Sequence, residues 1–385
     1  MFPSVVPITL LQPARIHFGV GIASTAVANL ARHGHCRVFL ITSHSVRAHA
    51  ERLAAILRAE NATVDIFDGV PPEPSTACCE ELRAAAAIFA PDLVLAVGGG
   101  SVLDVAKLVA ALHDRAEPVN SFYGSGLVLG RRTALACVPT TAGTGSEVSP
   151  NALLFDESAV AKKAVISPAL VPDTAIIDPQ LMATLPPALT ATTGIDALAH
   201  CLEGYANKAA HPIVDLYALN GVRLIAAHLL RAVRDGHDLV ARSAVALGSF
   251  YGGLCLGPVN TAAVHALAYP LGGEFHVPHG LSIAVMLPHV VRYNLSAAAS
   301  RYVEIARALG ITGTGSDSDI AGRGAERLAE LCAECGIRPR LIQCGIPANA
   351  IPRLAVEAMK VTRLLKNNPR ELTLDDAEAI FRQAY

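Results

Sequence analysis

Three consecutive glycines, set between an aliphatic segment and a helical segment, constrain the fold of this chain more than any other feature. Leu93–Val97 is short and aliphatic, as expected of a buried parallel strand, and Gly98, Gly99 and Gly100 follow it directly. A helical pattern opens at Ser101, so a pyrophosphate can approach the turn and face the N–H groups of the first helical turn. The spacing differs from Gly-x-Gly-x-x-Gly, and a glycine cluster taken alone also fits a simple tight turn.

A second segment favours the dinucleotide interpretation. Residues 139–147 are Pro-Thr-Thr-Ala-Gly-Thr-Gly-Ser-Glu, in which Thr140, Thr141 and Thr144 offer hydroxyl groups on a loop rich in backbone amides. Such groups suit contacts with ribose and phosphate, although an ordinary Thr/Gly surface loop has the same composition. Together the two segments predict that the N-terminal half binds a dinucleotide.

The character of the sequence changes near residue 186. Before this point a further aliphatic run, Val38–Ile41, alternates with Ala-rich helical stretches in a βα manner. After two adjacent prolines the strand patterns fade, and long Ala/Leu-rich helical stretches dominate. We therefore predict an α/β, Rossmann-like dinucleotide-binding domain over residues 1–185 and an all-helical domain over residues 186–385.

Four candidate metal ligands lie in the helical half. Asp196 and His200 are four residues apart and share one helix face, while prolines place His265 and His279 on separate elements. One carboxylate and three imidazoles suit Fe2+ or Zn2+ better than Mg2+ or Ca2+, which prefer oxygen ligands. Taken singly, the aspartate also fits a partner for a helix dipole, and each histidine fits a core residue with one satisfied nitrogen. The four together predict that residues 186–385 form a metal-binding domain.

Composition is typical of a soluble enzyme. The 385 residues carry a net charge of −2, which gives no electrostatic reason to bind nucleic acid or a membrane, so small-molecule chemistry is the default. Nine cysteines at irregular spacing fit a reducing compartment, and the N-terminal residues lack the pattern of a signal peptide, so we expect a cytoplasmic protein. The stretch 243–273 has no charged residue, but polar residues and prolines interrupt it, and we expect buried helices there.

Several long motifs, in order along the chain, make it similar to the iron-containing (group III) alcohol dehydrogenases. They are Gly-Gly-Gly-Ser-x-x-Asp-x-Ala-Lys, the Thr/Gly segment, Thr-Gly-Ile-Asp-Ala-Leu-x-His-x-x-Glu-Gly-Tyr, Pro-His-Gly-Leu and Asn-Asn-Pro-Arg at 367–370. The resemblance covers essentially the whole chain and implies the metal ligands Asp196, His200, His265 and His279. It also implies these cofactor contacts, with Lys163 as the neighbouring alternative to the last: Gly98, Gly99, Gly100, Ser101, Asp104, Thr140, Thr141, Thr144 and Lys162.

This resemblance implies a reversible hydride transfer between a nicotinamide and a small alcohol, aldehyde or ketone, with the metal acting as a Lewis acid. We expect a homodimer or a larger homo-oligomer. Maleylacetate reductases, glycerol dehydrogenases, dehydroquinate synthases and a non-catalytic cofactor-binding protein are the alternatives; the four ligands and Pro-His-Gly-Leu favour the alcohol dehydrogenases. A short substrate is favoured because the candidate pocket residues are small or apolar: Ser149, Asn151, Leu153, Leu256 and Thr261.

Two positions depart from the commoner pattern of the family that the chain resembles. Ser43 follows the first aliphatic run, where many NAD-using members carry an aspartate against the adenosine ribose; with His44 and Arg47 close by, the cofactor is NAD or NADP. Tyr269 stands where many members have a second histidine that is implied to relay a proton, and His276 is a candidate substitute. Tyr269 and His276 are therefore the candidate catalytic residues, with packing as the favoured role of the tyrosine.

Overall fold

The computed structural model describes residues 7–159, 161–337 and 340–385, which form two compact units. One unit is Leu11–Leu185. The other joins Pro186–Tyr385 to the described residues that precede Leu11. The chain divides between residues 185 and 186, and Pro7–Leu10 group with the helical unit although the sequence analysis assigned them to the N-terminal domain.

The Leu11–Leu185 unit is an α/β structure with two sheets. The elements in chain order are β1 (Arg15–Phe18), α1 (Ile22–Arg32), β2 (Arg37–Ile41), α2 (Arg47–Ala59), β3 (Thr63–Phe67), α3 (Thr76–Phe89), β4 (Leu93–Gly98), α4 (Gly100–Leu112), β5 (Gly124–Ser125), β6 (Ala134–Pro139), β7 (Asn151–Asp156), β8 (Ala161–Ile166) and β9 (Thr174–Ile177). Six strands form one sheet in the order β1-β9-β6-β4-β2-β3, in which every neighbouring pair is parallel, and β5, β8 and β7 form a smaller sheet.

Burial on both faces of the large sheet explains why its central strands are continuous aliphatic runs. Along β4, Leu93, Leu95 and Val97 belong to one core cluster, whereas Val94 and Ala96 belong to another. Alternate residues of a strand point to opposite faces, so a strand that is covered on both faces has no position for a polar side chain. The strand predicted at this point of the sequence is confirmed.

The order of the strands creates a switch point between β2 and β4. From β2 the chain passes to β3 on one side, and β4 then pairs with the other side of β2. Ligands of open α/β sheets bind beyond the carboxyl ends of the strands at such a point. Ser43 follows the end of β2, and Gly99 and Gly100 follow the end of β4. The Thr42 hydroxyl donates a hydrogen bond to the Val97 carbonyl (2.7 Å) between these two strand ends.

Helices build the second unit. Its described residues contain no β-strand, so the predicted combination of an α/β half with an all-helical half is confirmed. In chain order the helices are α5 (Pro187–Tyr205), α6 (Pro212–Arg234), α7 (Leu239–Leu256), α8 (Ala263–Phe275), α9 (His279–Asn294), α10 (Ala299–Ala308), α11 (Asp317–Glu334), α12 (Ile351–Met359), α13 (Thr362–Leu365) and α14 (Leu374–Ala384).

The uncharged stretch 243–273 forms most of α7 and α8, as expected. By length and composition alone, α6 and α7 are apolar enough to cross a membrane. Core helices of soluble proteins meet the same criteria, and 67% of the most apolar window of α7 is buried within the protein, against 33% for α6. Helix α7 packs on α5 and α6. Its apolar character is therefore explained by its place in the core of the helical unit.

Candidate active site

Four side chains from three helices converge in the helical unit. Asp196 and His200 lie on successive turns of α5, His265 is in the first turn of α8, and His279 is the first residue of α9. The Oδ1 atom of Asp196 is 3.7 Å from Nε2 of His200, 3.4 Å from Nε2 of His265 and 3.6 Å from Nε2 of His279. The structure thus places all three predicted histidines around one oxygen of Asp196, with the last two on separate helices. The ligand atoms of Asp196, His265 and His279 all lie within 4.8 Å of one another, and His200 joins this group through its 3.7 Å approach to Asp196.

These distances fit a small cation. Donors on a tetrahedral ion with bonds of about 2.1 Å are separated by about 3.4 Å. Oδ1 of Asp196 and Nε2 of His265 are buried without a hydrogen-bond partner among the described residues, which is costly unless another group satisfies them. Asp196 also lies more than two turns inside α5, so it is not a first-turn partner of the helix dipole. Three nitrogens and one oxygen suit Fe2+ or Zn2+.

Close packing of the helices sets this geometry. The rings of His200 and His265 stack with their centroids 4.8 Å apart and their planes at 18°. At the start of α9, a Cβ added to Gly280 would lie 2.7 Å from the carbonyl oxygen of Thr192 in α5. Only glycine allows two backbones to approach this closely. The glycine of Pro-His-Gly-Leu therefore lets α9 carry His279 up to the ligands on α5.

Neighbouring charges oppose the effect of burial on the pKa values of two residues in the cluster. Burial alone would raise the pKa of Asp196, but His200 and His279 hold that pKa below its usual range, so the side chain remains a carboxylate. Burial would lower the pKa of His265, whereas the adjacent Glu203 carboxylate raises it to about 9. A metal ion must displace this proton, so the affinity of the site for metal increases with pH.

Glu203 is a buried carboxylate that the sequence analysis did not single out. Its Oε1 accepts a hydrogen bond from the backbone N–H of Val264 (2.7 Å), and its Oε2 contacts Nδ1 of His265. It follows Asp196 by seven residues, which is two helical turns and places both on one face of α5. Two signals in the sequence could have revealed it: that spacing, and its place as the glutamate of the motif Thr-Gly-Ile-Asp-Ala-Leu-x-His-x-x-Glu-Gly-Tyr.

The two candidate catalytic residues differ in position. Tyr269 is half-buried in α8, with its ring centroid 6.3 Å from that of His279. Burial raises the pKa of the Tyr269 phenol, and the positive charge and hydrogen bond of Arg363 partly offset the effect. His276 is exposed at the C-terminal cap of α8 (φ 54°), and no contact among the described residues joins its side chain to the ligand histidines. The structure therefore brings Tyr269, and not His276, to the edge of the cluster.

The glycine turn of the α/β unit has the predicted form. Strand β4 ends at Gly98, and α4 begins at Gly100, one residue earlier than expected. The N-cap residue of α4 is Gly99, which has no side chain to accept hydrogen bonds from the first N–H groups of the helix. A helix that starts in this way, beyond the end of a central strand, is suited to bind an anion.

The Thr/Gly loop lies against this turn. The backbone N–H of Thr140 donates a hydrogen bond to the Gly98 carbonyl (2.9 Å). A Cβ added to the second glycine would lie 3.3 Å from Cγ2 of Thr141, and one added to Gly100 would lie 2.5 Å from Cγ2 of Thr144. The two segments that the sequence analysis linked to a dinucleotide are thus in direct contact.

Beneath the loop, α4 provides two buried charged groups. Asp104 accepts hydrogen bonds from the Ser146 hydroxyl (2.5 Å) and from a backbone N–H of β7 (3.0 Å). Lys107 is fully buried, and its Nζ donates to the carbonyls of Ser149 (2.9 Å) and Asn151 (2.8 Å). Burial lowers the pKa of Lys107. Both oxygens of Asp104, predicted as a cofactor contact, are occupied in holding the loop, and the sequence analysis missed the part played by Lys107.

Lys162 is linked to the glycine turn through one intermediate residue. Its Nζ lies 2.7 Å from the Glu73 carboxylate, and the backbone N–H of Glu73 donates a hydrogen bond to the Ser101 hydroxyl (3.2 Å). Lys163 is the next residue of β8, and consecutive residues of a strand point to opposite faces. This arrangement favours Lys162 over Lys163 as the lysine near the glycine turn.

Ser43 lies beyond the end of β2, at the switch point of the sheet. The positive groups that follow it are already paired. Nδ1 of His44 is 2.9 Å from the Asp68 carboxylate, and Arg47 pairs with both Asp68 and Glu51. Position 43 carries no negative charge, and the charge of the nearby arginine is balanced by the two carboxylates that it contacts.

Comparison with known proteins agrees with this geometry. Residues 13–179 match the family described as iron-containing alcohol dehydrogenase, and residues 190–385 match the Fe-containing alcohol dehydrogenase family, C-terminal. The chain belongs to the iron-containing alcohol dehydrogenase family. The family and the reaction class that the sequence predicted are confirmed: the protein is an oxidoreductase that acts on CH–OH groups of small molecules and uses NAD(P) and a metal ion.

Relatives of this alcohol dehydrogenase match it over nearly their whole length. Long-chain-alcohol dehydrogenase 1 of Geobacillus thermodenitrificans is 38% identical, over 98% of this chain and 96% of that protein. The 1,3-propanediol dehydrogenase of Klebsiella pneumoniae is 34% identical, over 97% and 98%. A crystal structure of 1,3-propanediol oxidoreductase, 33% identical, superposes with a TM-score of 0.95 over 99% of this chain and 100% of that one.

Proposed function

We propose that this alcohol dehydrogenase binds Fe2+ or Zn2+ through Asp196, His200, His265 and His279 and reversibly oxidises a short alcohol to an aldehyde or ketone. One observation carries the proposal: a single buried oxygen, Oδ1 of Asp196, lies 3.4–3.7 Å from three imidazole nitrogens. That separation matches donors around one ion. Retention of all four ligands also favours the metal-dependent branch over enzymes of the maleylacetate reductase type.

The ion, when bound, supplies Lewis acidity that polarises a carbonyl oxygen or lowers the pKa of an alcohol. The protein fixes the donors and the charge of the site. Asp196 contributes one negative charge and the imidazoles contribute none, so this donor set would leave a bound dication with a net positive charge. His279 is the most exposed ligand, with 27% of its side chain accessible, against 3% for His265. We therefore place the approach of the substrate on the His279 side.

In the α/β unit, Gly98–Gly100 and Ser101 would bind the pyrophosphate at the start of α4. The support for this is the uncapped helix start, its place at the switch point of the sheet, and the contact with the loop that carries the three threonines. Those threonines would contact phosphate or ribose, and Lys162 would add positive charge. Asp104 would act indirectly, by holding the loop in place.

We propose that both NAD and NADP serve as cofactor. Ser43 has no carboxylate to repel the 2′-phosphate of NADP, but Arg47 is engaged by Asp68 and Glu51 and offers little charge to attract it. The two effects leave neither cofactor strongly favoured. The expected ratio of kcat/KM for the two cofactors is within about tenfold, a difference of roughly 1.4 kcal/mol.

For the substrate and the oligomeric state we propose a class and not a single answer. The relatives described above are named for long-chain alcohols and for 1,3-propanediol, so the shared fold accommodates different substrates. A short substrate stays a prediction from the sequence. We further propose that the enzyme works in the cytoplasm as a homodimer or larger homo-oligomer and that Tyr269 packs beside His279 without relaying a proton.

The experiment is a turnover screen of short aldehydes, diols and oxoacids with both reduced and oxidised nicotinamide cofactors. The metal-free enzyme is loaded with Fe2+ without oxygen, or with Zn2+, and compared with Asp196→Asn treated in the same way. We expect turnover only in the loaded wild type, because the asparagine keeps the shape of the side chain and removes its charge. Equal turnover by Asp196→Asn would show that the cluster is not the metal site.

A further inference from the structure

Glu203 connects the start of α8 to the ring of a metal ligand. The residue is 6% exposed. Its Oε1 accepts the backbone N–H of Val264 (2.7 Å), and its Oε2 contacts Nδ1 of His265. Val264 is in the first turn of α8, and the N-cap residue of that helix, Ala262, makes no side-chain hydrogen bond. One carboxylate from α5 thus supplies the missing cap of α8 and holds a ligand of the same helix.

The contact with Nδ1 decides which ring nitrogen of His265 is available to a metal. A carboxylate only accepts hydrogen bonds, so Nδ1 carries a proton, and Nε2 is the nitrogen that faces Oδ1 of Asp196 (3.4 Å). Nε2 of His265 and Oδ1 of Asp196 have no hydrogen-bond partner among the residues that the structure describes. Histidines that bind metals commonly donate their second N–H to a carboxylate, which fixes the tautomer and the orientation of the ring.

We propose that Glu203 is a positioning residue for the metal site, which holds His265 with Nδ1 protonated and Nε2 directed at the ion. The inference rests on the metal-binding function proposed above and names a residue on which the affinity of that site depends. Glu203 is not itself a ligand in this arrangement, because its two oxygens are directed to Val264 and to Nδ1 of His265. Since Asp196, His200 and Glu203 all belong to α5, a single helix carries two ligands and orients a third.

A glutamine at position 203 separates this role from simple capping of α8, because it offers one acceptor oxygen where glutamate offers two. In the metal-free variant, the amide oxygen can accept from Val264 while the amide N–H2 donates to Nδ1 of His265, whose proton then sits on Nε2. Both hydrogen bonds are kept. In the metal-bound variant, Nε2 must be free for the ion, so the proton of the imidazole lies on Nδ1. Nδ1–H and the amide N–H2 are then both donors, and one of the two hydrogen bonds is lost. The substitution should therefore weaken metal binding much more than it weakens the fold.

The test measures Zn2+ affinity by competition with a chelating dye, together with the unfolding temperature of each metal-free protein. Both are measured at a pH just above 9, where most of the wild-type His265 is neutral and does not hold a second proton against the metal. We expect the Kd of Glu203→Gln for Zn2+ to be about 10- to 100-fold higher than that of the wild type. Its metal-free unfolding temperature should stay within about 3 °C of the wild type, since both hydrogen bonds are kept. The matched control is Glu274→Gln in the same helical unit, whose exposed side chain pairs with Arg353 and should leave the Kd unchanged.

A Kd for Glu203→Gln within about threefold of the wild-type value, a difference of roughly 0.6 kcal/mol, would overturn the inference and leave Glu203 as a helix cap. If the wild type itself bound no Zn2+, the proposed metal site would fail as well, so the two failures are distinguishable. Glu203→Asp provides a second test if the glutamine variant does not fold. It keeps the charge but is one methylene shorter and cannot reach both donors, so an unchanged Zn2+ affinity in this variant would also overturn the proposal.

Discussion

Replacing Gly100 by alanine should weaken cofactor binding through one steric clash. The added Cβ would lie 2.5 Å from Cγ2, 2.8 Å from Oγ1 and 3.1 Å from Cβ of Thr144. Carbon atoms in contact prefer 3.5–4.0 Å, so the loop that carries Thr144 must move by about 1 Å or more. Overpacking of this kind typically costs about 1–3 kcal/mol. If the loop moves to relieve the clash and cofactor binding requires its wild-type position, binding must restore the strain, and the cofactor Kd should rise roughly 5- to 150-fold.

The assay is titration of NADH and NADPH by fluorescence, with metal content measured on the same samples. Gly130→Ala is the matched control, because a Cβ there meets no atom within 4 Å. Adding Thr144→Ser to Gly100→Ala removes the nearest methyl group and keeps the hydroxyl that accepts the Ser146 N–H (3.2 Å), so it should restore part of the affinity. If folded Gly100→Ala binds both cofactors as the wild type does, the glycine turn is not the pyrophosphate site.

Three further predictions concern single side chains. Tyr269→Phe should change kcat less than tenfold, since the ring is proposed only to pack beside His279; a larger loss at unchanged metal content would assign a proton relay to the phenol. Ser43→Asp should shift the kcat/KM ratio toward NAD by about tenfold or more, through repulsion of the 2′-phosphate, and an unchanged ratio would place Ser43 away from the ribose. Burial raises the pKa of Glu147 from 4.5 to about 7, so its contribution to stability is complete below pH 4.5 and is lost as pH rises through 7. The unfolding temperature of Glu147→Gln should therefore fall less between pH 5 and pH 8 than that of the wild type. Parallel pH profiles for the two proteins would contradict a raised pKa for Glu147.

Helical periodicity allowed two of the four proposed metal ligands to be predicted as a pair from the sequence. Asp196 and His200 are four residues apart, which places them on one helix face whatever surrounds the helix. The same argument extended to seven residues reaches Glu203, but the sequence does not show that a histidine of α8 lies opposite it. That contact joins residues 62 positions apart and depends on how α5 and α8 pack.

The same limit applies in the α/β unit. The strand, the glycines and the helix start follow from local patterns, and the structure has them within one residue of the predicted positions. Lys107 was not recognised because lysine is normally exposed, and its burial is made tolerable by the carbonyls of Ser149 and Asn151 and by the charge of Asp104. Glu73 contacts Lys162 across 89 residues, which no local pattern reports. Tertiary contacts, and not propensities, determine these parts of the site.

Turnover as a function of bound metal tests the central claim most directly. Metal-free enzyme is titrated with Fe2+ in the absence of oxygen, and the bound ion and the rate are measured on the same sample. We predict that turnover rises in proportion to bound metal up to one ion per chain. His265→Ala should neither retain metal nor turn over, whereas His237→Ala, an exposed histidine outside the cluster, should match the wild type. Full turnover by metal-free wild type, or metal binding by His265→Ala equal to that of the wild type, would contradict the account.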